Sequence, residues 1–262
     1  MIPKKIHYCW FGKGQKNELV KRCINSWKVM CPEYEIIEWN ESNCDIKSNL
    51  FAEEAYKNRK WAFVSDYFRL KVLFENGGIY LDTDVELLNN LDKFLNDRAF
   101  FGYADDTYIG TGLFGCEKHN ELCKLLLAYY QNRHFCLRGN HFNIIPNNEI
   151  FTALFIKNGF DFGNSTFSIG EAKIYPSVYF SPFKIKTFGN VDQLYNLNNY
   201  RITNNTYAIH YTVYSWGDKM QINQRLKHYF INFLRRFMPL KVYFYIKRYI
   251  KHQKLNKFIK NL

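Results

Sequence analysis

The amino-acid sequence predicts an α/β fold with a mostly parallel central sheet, and three observations lead there. Short apolar runs of strand length, at 6–10, 79–81 and 99–103, alternate with longer stretches of helical period. The chain opens strand, helix, strand, the connection from which parallel sheets are built. The run Ile79-Tyr80-Leu81 then ends in two carboxylates, Asp82 and Asp84, with one residue between them. Ligands of open α/β sheets gather at such C-terminal strand ends.

Taken in order, residues 6–10 read as a buried strand and Phe11-Gly12-Lys13-Gly14 as the turn that leaves it. Residues 17–30 carry Leu19, Val20, Cys23, Ile24 and Trp27 at helical spacing, and Pro32 stops that helix. Residues 34–39 form a second strand. A helix over 59–76 is predicted from Phe63, Tyr67, Leu70 and Phe74, with Gly77 as its C-terminal cap. Beyond the carboxylates, 91–95 reads as a short helix and 99–103 as a strand. Residues 111–116 read as a strand whose glycines permit close backbone approach. Residues 121–130 are predicted helical, and Asn147-Asn148-Glu149 reads as a capped start to a helix over 150–156. Ile174-Tyr175-Pro176 and Phe180-Ser181-Pro182 are expected as loop or edge segments, and 208–216, on its residues alone, as an edge strand. Asp105-Asp106 reads as a solvated turn. His7, between apolar neighbours, reads as a satisfied core residue.

The 262 residues, 47% hydrophobic and 19% aromatic, suffice for one sizeable domain with an appendage. Seven cysteines without a C-x-x-C pair argue against a disulfide framework or zinc cluster and for a reducing compartment. Met1-Ile2-Pro3-Lys4-Lys5 leads into a strand without an apolar signal region, and no run approaches the roughly 20 apolar residues of a spanning helix. A cytoplasmic location is expected. The formal net charge is +12, yet 219–262 holds 12 basic residues and no acid, leaving the rest of the chain neutral. We therefore divide the sequence into a domain over 1–218 and a basic tail over 219–262. In the tail, Leu226, Tyr229, Phe230, Phe233, Leu234 and Phe237 share one helical face, and Arg225, Lys227, His228, Asn232, Arg235 and Arg236 fall elsewhere. After Pro239, Leu255, Phe258, Ile259 and Leu262 repeat the pattern among Lys251, Lys254, Lys257 and Lys260. Such helices lie in a membrane interface, or else pack their apolar face on protein.

Paired carboxylates such as Asp82 and Asp84 suit a hard divalent cation, Mn2+ or Mg2+, that completes its shell with water and substrate phosphates; two solvated acids in a turn are the alternative. On the preceding helix Asp66 and Arg69 stand at i, i+3. They suggest a polar pocket, with a plain intrahelical ion pair as the alternative. The opening strand–helix–strand unit carries no G-x-G-x-x-G, and G-x-x-x-x-G-K-[ST] does not occur, so a dinucleotide fold and a P-loop are not supported.

The run Trp61-Ala62-Phe63-Val64-Ser65-Asp66-Tyr67-Phe68-Arg69-Leu70, continued through Gly77-Gly78-Ile79-Tyr80-Leu81-Asp82-Thr83-Asp84, resembles the signature of the glycosyltransferases with a D-x-D sugar-binding region. This is family thirty-two, with its bacterial capsule and lipopolysaccharide transferases and mannosyltransferases. The pattern is also similar to that of the glucosylating bacterial toxins. Ile6-His7-Tyr8-Cys9-Trp10-Phe11-Gly12 matches the family's first motif, and His210 with Ser215 and Trp216 its last. The resemblance covers most of 2–216. It implies a GT-A type fold and a metal-dependent, retaining transfer of a hexose from a nucleotide-sugar donor, UDP-linked or, second, GDP-mannose. It also implies roles: Trp10 stacking on the base, Asp84 on the metal with Asp82 and His210 beside it, Asp66 and Arg69 on the sugar and the developing charge, Ser215 and Trp216 on the diphosphate. The expected acceptor is a glycan of a surface polysaccharide, lipid-linked, reached at an anionic membrane surface through 219–262, with acceptor recognition in variable loops such as 131–145 and 184–206.

Two other classes compete. A phosphatase of the aspartyl-phosphate type also uses D-x-D after an apolar strand, but expects Thr or Val where Glu86 stands. A basic nucleic-acid-binding protein finds support in the tail alone, and nucleic acid is not the expected partner.

Overall fold

The structure is a computed structural model that describes residues 1–105, 107–160, 165–183, 199–212, 249–250 and 253–260. The chain divides into two compact units, Met1–Val213 and Tyr214–Leu262. Asp106, Ser215, Trp216 and the apolar face over 226–237 lie outside the described residues, and so does most of the basic tail.

In the first unit the elements follow as strand β1 (Lys5–Cys9), helix α1 (Glu18–Met30), β2 (Glu35–Trp39), α2 (Leu50–Lys57), α3 (Trp61–Asn76), β3 (Gly78–Leu81), β4 (Val85–Leu87), β5 (Ala99–Gly102), β6 (Leu113–Cys116), α4 (Glu121–Ala128), β7 (Cys136–Leu137), β8 (His141–Phe142), α5 (Asn147–Lys157), β9 (Phe167–Ile169), β10 (Ala172–Tyr175) and β11 (Ala208–His210). One seven-stranded sheet has the order β2-β1-β3-β6-β5-β10-β9. Parallel pairing joins β1 to β2, β1 to β3 and β5 to β10, while β6 and β9 run against their neighbours. Most strands thus share one direction, as expected for an α/β fold. β4 leaves the main sheet to pair with β11, and β7 with β8 forms a small ribbon.

Helix α3 is buried on nearly every side, with Phe63, Val64, Phe68, Leu70, Val72 and Leu73 each at most 5% exposed. A helix apolar all round belongs inside a core, and the two charged groups on it, Asp66 and Arg69, are buried with it. It begins at Trp61 rather than at the expected 59, because Arg59 takes a left-handed φ of 55°. It ends at Gly77, whose φ of 68° suits a residue without Cβ and whose N–H donates to the Leu73 carbonyl. The Ile6↔Ile79 register sets β1 and β3 side by side. Trp10 and Asp82, which follow these parallel strands, therefore leave the sheet at the same edge.

Two expectations are corrected. Ile174 and Tyr175 belong not to a loop or edge but to β10, an inner strand paired with β5 and β9, in which Ile174 is fully buried. Pro176 lies just past the strand, so its missing N–H costs the ladder nothing. Asn147 opens α5, as its type suggests, but makes no side-chain cap there.

Candidate active site

The carboxylates stand where the polypeptide leaves β3. The Asp82 N–H donates to the Gly112 carbonyl at 2.7 Å, and its carbonyl accepts from the Val85 N–H at 3.0 Å, closing a tight turn around Thr83 and Asp84. β11 arrives antiparallel to β4 with His210 opposite Val85, and the Tyr211 N–H donates to the Asp84 carbonyl at 3.0 Å. That pairing carries His210 onto the carboxylates. Its Nε2 lies 3.3 Å from Asp84 Oδ1 and 3.9 Å from Asp82 Oδ2. One ligand atom from each of the three residues falls within 4.8 Å of the others. Two carboxylate oxygens and an imidazole nitrogen fit a hard or borderline divalent ion such as Mn2+ or Mg2+. Gly112 makes room for the ring, since a Cβ there would lie 2.4 Å from His210 Cε1.

Behind this turn lies a buried ionic cluster. Arg69 Nη1 donates to the Thr111 carbonyl at 2.8 Å and to Asp82 at 3.3 Å, and Nη2 sits 3.0 Å from Asp66 Oδ1. Its Nε donates to the Ser65 carbonyl, and its guanidinium carbon lies 4.8 Å from the centre of the Tyr80 ring. Burial works against the Arg69 charge, yet Asp82, Tyr80 and Asp66 together hold its pKa above the ordinary value. Burial pushes the Asp66 carboxyl up to about 6, outweighing the attraction of Arg69, with Asp82 adding to the rise and the Asn147 amide opposing it. Asp66, Asp82 and Asp84 outnumber the one guanidinium among them, an excess of negative charge that favours a cation at the turn.

The sequence-predicted residues Asp66, Arg69, Asp82, Asp84 and His210 therefore come together. Trp10 stands at the same sheet edge, its Nε1–H donating to the Gly14 carbonyl at 2.8 Å and Lys16 Nζ lying 5.3 Å from its ring centre. Asp105 holds its own loop, with Oδ1 accepting from Thr107 N, Thr107 Oγ1 and Tyr108 N, as a turn residue does. Sequence reasoning missed two polar partners. The Asn147 amide donates to Asp66 Oδ1 at 3.2 Å while its carbonyl accepts from Tyr130 Oη–H at 3.0 Å. Tyr80 Oη–H donates to Asp82 Oδ1 at 3.0 Å. The alternation of residues along β3, which sets Tyr80 and Asp82 on one face, could have revealed the second; nothing local signals the first.

The D-x-D turn and the buried Asp66–Arg69 pair behind it both lie within a stretch that matches a known family. Residues 17–101 match the family described as glycosyltransferase sugar-binding region containing DXD motif. Inositol phosphoceramide mannosyltransferase 3 of Schizosaccharomyces pombe is 28% identical over 148 residues, 51% of this chain and 40% of that protein. Subversion of eukaryotic traffic protein A of Legionella pneumophila is 30% identical over 113 residues, 32% of this chain and 17% of that protein. The chain thus spans less than half the length of these curated relatives. Among solved structures, PaToxG glycosyltransferase has a TM-score of 0.46 and 20% identity, over 60% of this chain and 69% of that one.

Proposed function

We propose that the protein transfers a hexose from a nucleotide-sugar donor to a glycan acceptor of a surface polysaccharide, capsule or lipopolysaccharide, in a metal-dependent, retaining reaction. The observation that carries this reading is the convergence of Asp82, Asp84 and His210 within 4.8 Å beside the buried Arg69–Asp66 pair. Asp84, His210 and Asp82 would hold Mn2+ or Mg2+, which would supply positive charge for the leaving diphosphate. Arg69 is locked by Asp66, Asp82, Ser65 and Thr111, so its charge is oriented before the reaction begins. Asp66, ionised near neutral pH, accepts hydrogen bonds from sugar hydroxyls with Asn147 steadying it. Trp10 offers an indole face for the base, and Ser215 and Trp216 donate to phosphate oxygens. A UDP-hexose is the first donor to test. GDP-mannose is the second, favoured by the mannosyltransferase name of one relative. The basic tail places the enzyme at the inner face of the cytoplasmic membrane, next to a lipid-linked acceptor.

The test is a screen of nucleotide sugars for hydrolysis or transfer, with and without Mn2+, on wild type and Asp84→Ala. Asp84→Ala is expected to lose activity about a thousandfold, equivalent to about 4 kcal/mol of transition-state stabilisation. Near wild-type activity of this variant, or wild-type activity undiminished by excess EDTA, overturns the metal role.

A further inference from the structure

Glu86 occupies the middle of the short strand β4, between two buried residues, and three hydrogen bonds converge on its carboxylate. Arg22 on α1 grips it as a fork, Nε to Oε1 at 3.0 Å and Nη2 to Oε2 at 3.0 Å. From β11 the Tyr211 hydroxyl donates to Oε2. A bidentate guanidinium–carboxylate pair fixes direction as well as distance.

Tyr211 is also held at its other end, by its N–H on the Asp84 carbonyl, and its side chain is 1% exposed. Thr212, the next residue, takes a left-handed φ of 53°, uncommon for a β-branched residue, so the extended course of β11 stops there. The residue just before Tyr211 is His210, which reaches the two carboxylates from a strand of only three residues. The ladder itself is three residue pairs long, and the side-chain ties of Tyr211, Glu86 and Arg22 add to what holds it.

Resting on the metal-site reading above, we propose that Arg22, Glu86 and Tyr211 form a clamp that positions His210 against Asp82 and Asp84 and so sets the affinity of the site for a divalent cation. Tyr211 and Glu86 are positioning residues. They act through His210 and the β4–β11 register, and neither is a ligand. Loss of such supporting hydrogen bonds typically lowers metal affinity about tenfold or more.

The experiment measures Mn2+ dissociation constants of the full-length protein by electron paramagnetic resonance, with the thermal midpoint of each metal-free protein. It compares wild type, Tyr211→Phe, Glu86→Gln, His210→Ala and Arg98→Ala. Arg98 joins the remote carboxylates of Glu117 and Glu171, so its loss controls for general loosening of the fold. Tyr211→Phe is expected to weaken Mn2+ binding about tenfold and Glu86→Gln by a similar factor, with Arg98→Ala unchanged. Should Tyr211→Phe bind Mn2+ within twofold of wild type while His210→Ala loses it, the clamp is overturned and the metal site stands. Equal weakening by Arg98→Ala also overturns it, because the effect is then one of stability. If wild type binds no Mn2+, or His210→Ala binds it as wild type does, the metal-site reading fails and the clamp falls with it.

Discussion

At His7 one neutral imidazole satisfies two partners inside the sheet. Nε2–H donates to the Gly77 carbonyl at 2.9 Å, and Nδ1 accepts from the Trp39 indole N–H at 3.0 Å. A second proton would set N–H against N–H at Trp39. Burial, partly offset by the Gly77 bond, lowers the His7 pKa to about 4. Above pH 6.5 the imidazole is neutral in both folded and unfolded protein, and its contribution is complete. As the pH falls from 6.5 towards 4 the unfolded chain binds a proton that the native one refuses, and about 3 kcal/mol of stability is lost. Urea midpoints of wild type and His7→Gln across this range should diverge in slope by that amount; parallel curves would refute it. Gly112 gives a second test at this scale, since the Cβ of Gly112→Ala meets the His210 ring. Mn2+ affinity should drop about tenfold, and an unchanged isothermal titration would remove Gly112 from the site. Asp82, Asp84 and the core reading of His7 were legible because their signals are local. Asn147 was not, because its partner Asp66 belongs to α3, remote in sequence and adjacent only after folding.

Among the elements, α1 does more than cover the sheet. Its N-cap is Asn17, whose side chain accepts from the Val20 N–H, and its buried stripe is Leu19, Val20, Cys23 and Trp27. The same helix is sewn to β4: Trp27 Nε1–H donates to the Val85 carbonyl at 2.7 Å, and Ser26 Oγ accepts from the Leu87 N–H at 2.9 Å. The stripe was legible as helical periodicity, whereas the indole's hydrogen bond to β4 was not, since an apolar pattern is silent about polar ends. Trp27→Phe keeps most of the apolar volume but strands the Val85 carbonyl in a fully buried setting. It should cost about 1–3 kcal/mol by urea unfolding, and a loss below the lower figure would show that the bond matters little. β10 shows the opposite failure. Pro176 suggested a loop, yet the preceding residues pair on both sides, because a proline beyond a strand's last residue leaves its ladder intact.

For the whole molecule, charge divides more sharply than structure does: the 12 positive charges in excess all reside in 219–262. Among the described residues no helix is long and apolar enough to cross a membrane. In our proposal the tail's charge acts from the surface of a bilayer. Residues 253–259 are helical, with Leu255 only 1% exposed, so that side chain is already covered and lends little to lipid binding. The membrane contact in our proposal then rests on 225–237, whose sequence sets six apolar residues at helical spacing among Arg225, Lys227, Arg235 and Arg236. Each such cation near an anionic surface contributes about 1 kcal/mol, so these four supply about 4 kcal/mol that salt can screen. Full-length protein should float with vesicles containing anionic lipid at low salt and be released at high salt. Replacing the four with glutamate should abolish flotation while Mn2+ binding stays at its wild-type value, because Asp82, Asp84 and His210 all belong to Met1–Val213. Wild-type protein that ignores anionic vesicles, or a fourfold variant that floats as well as wild type, would assign the apolar face to protein packing instead.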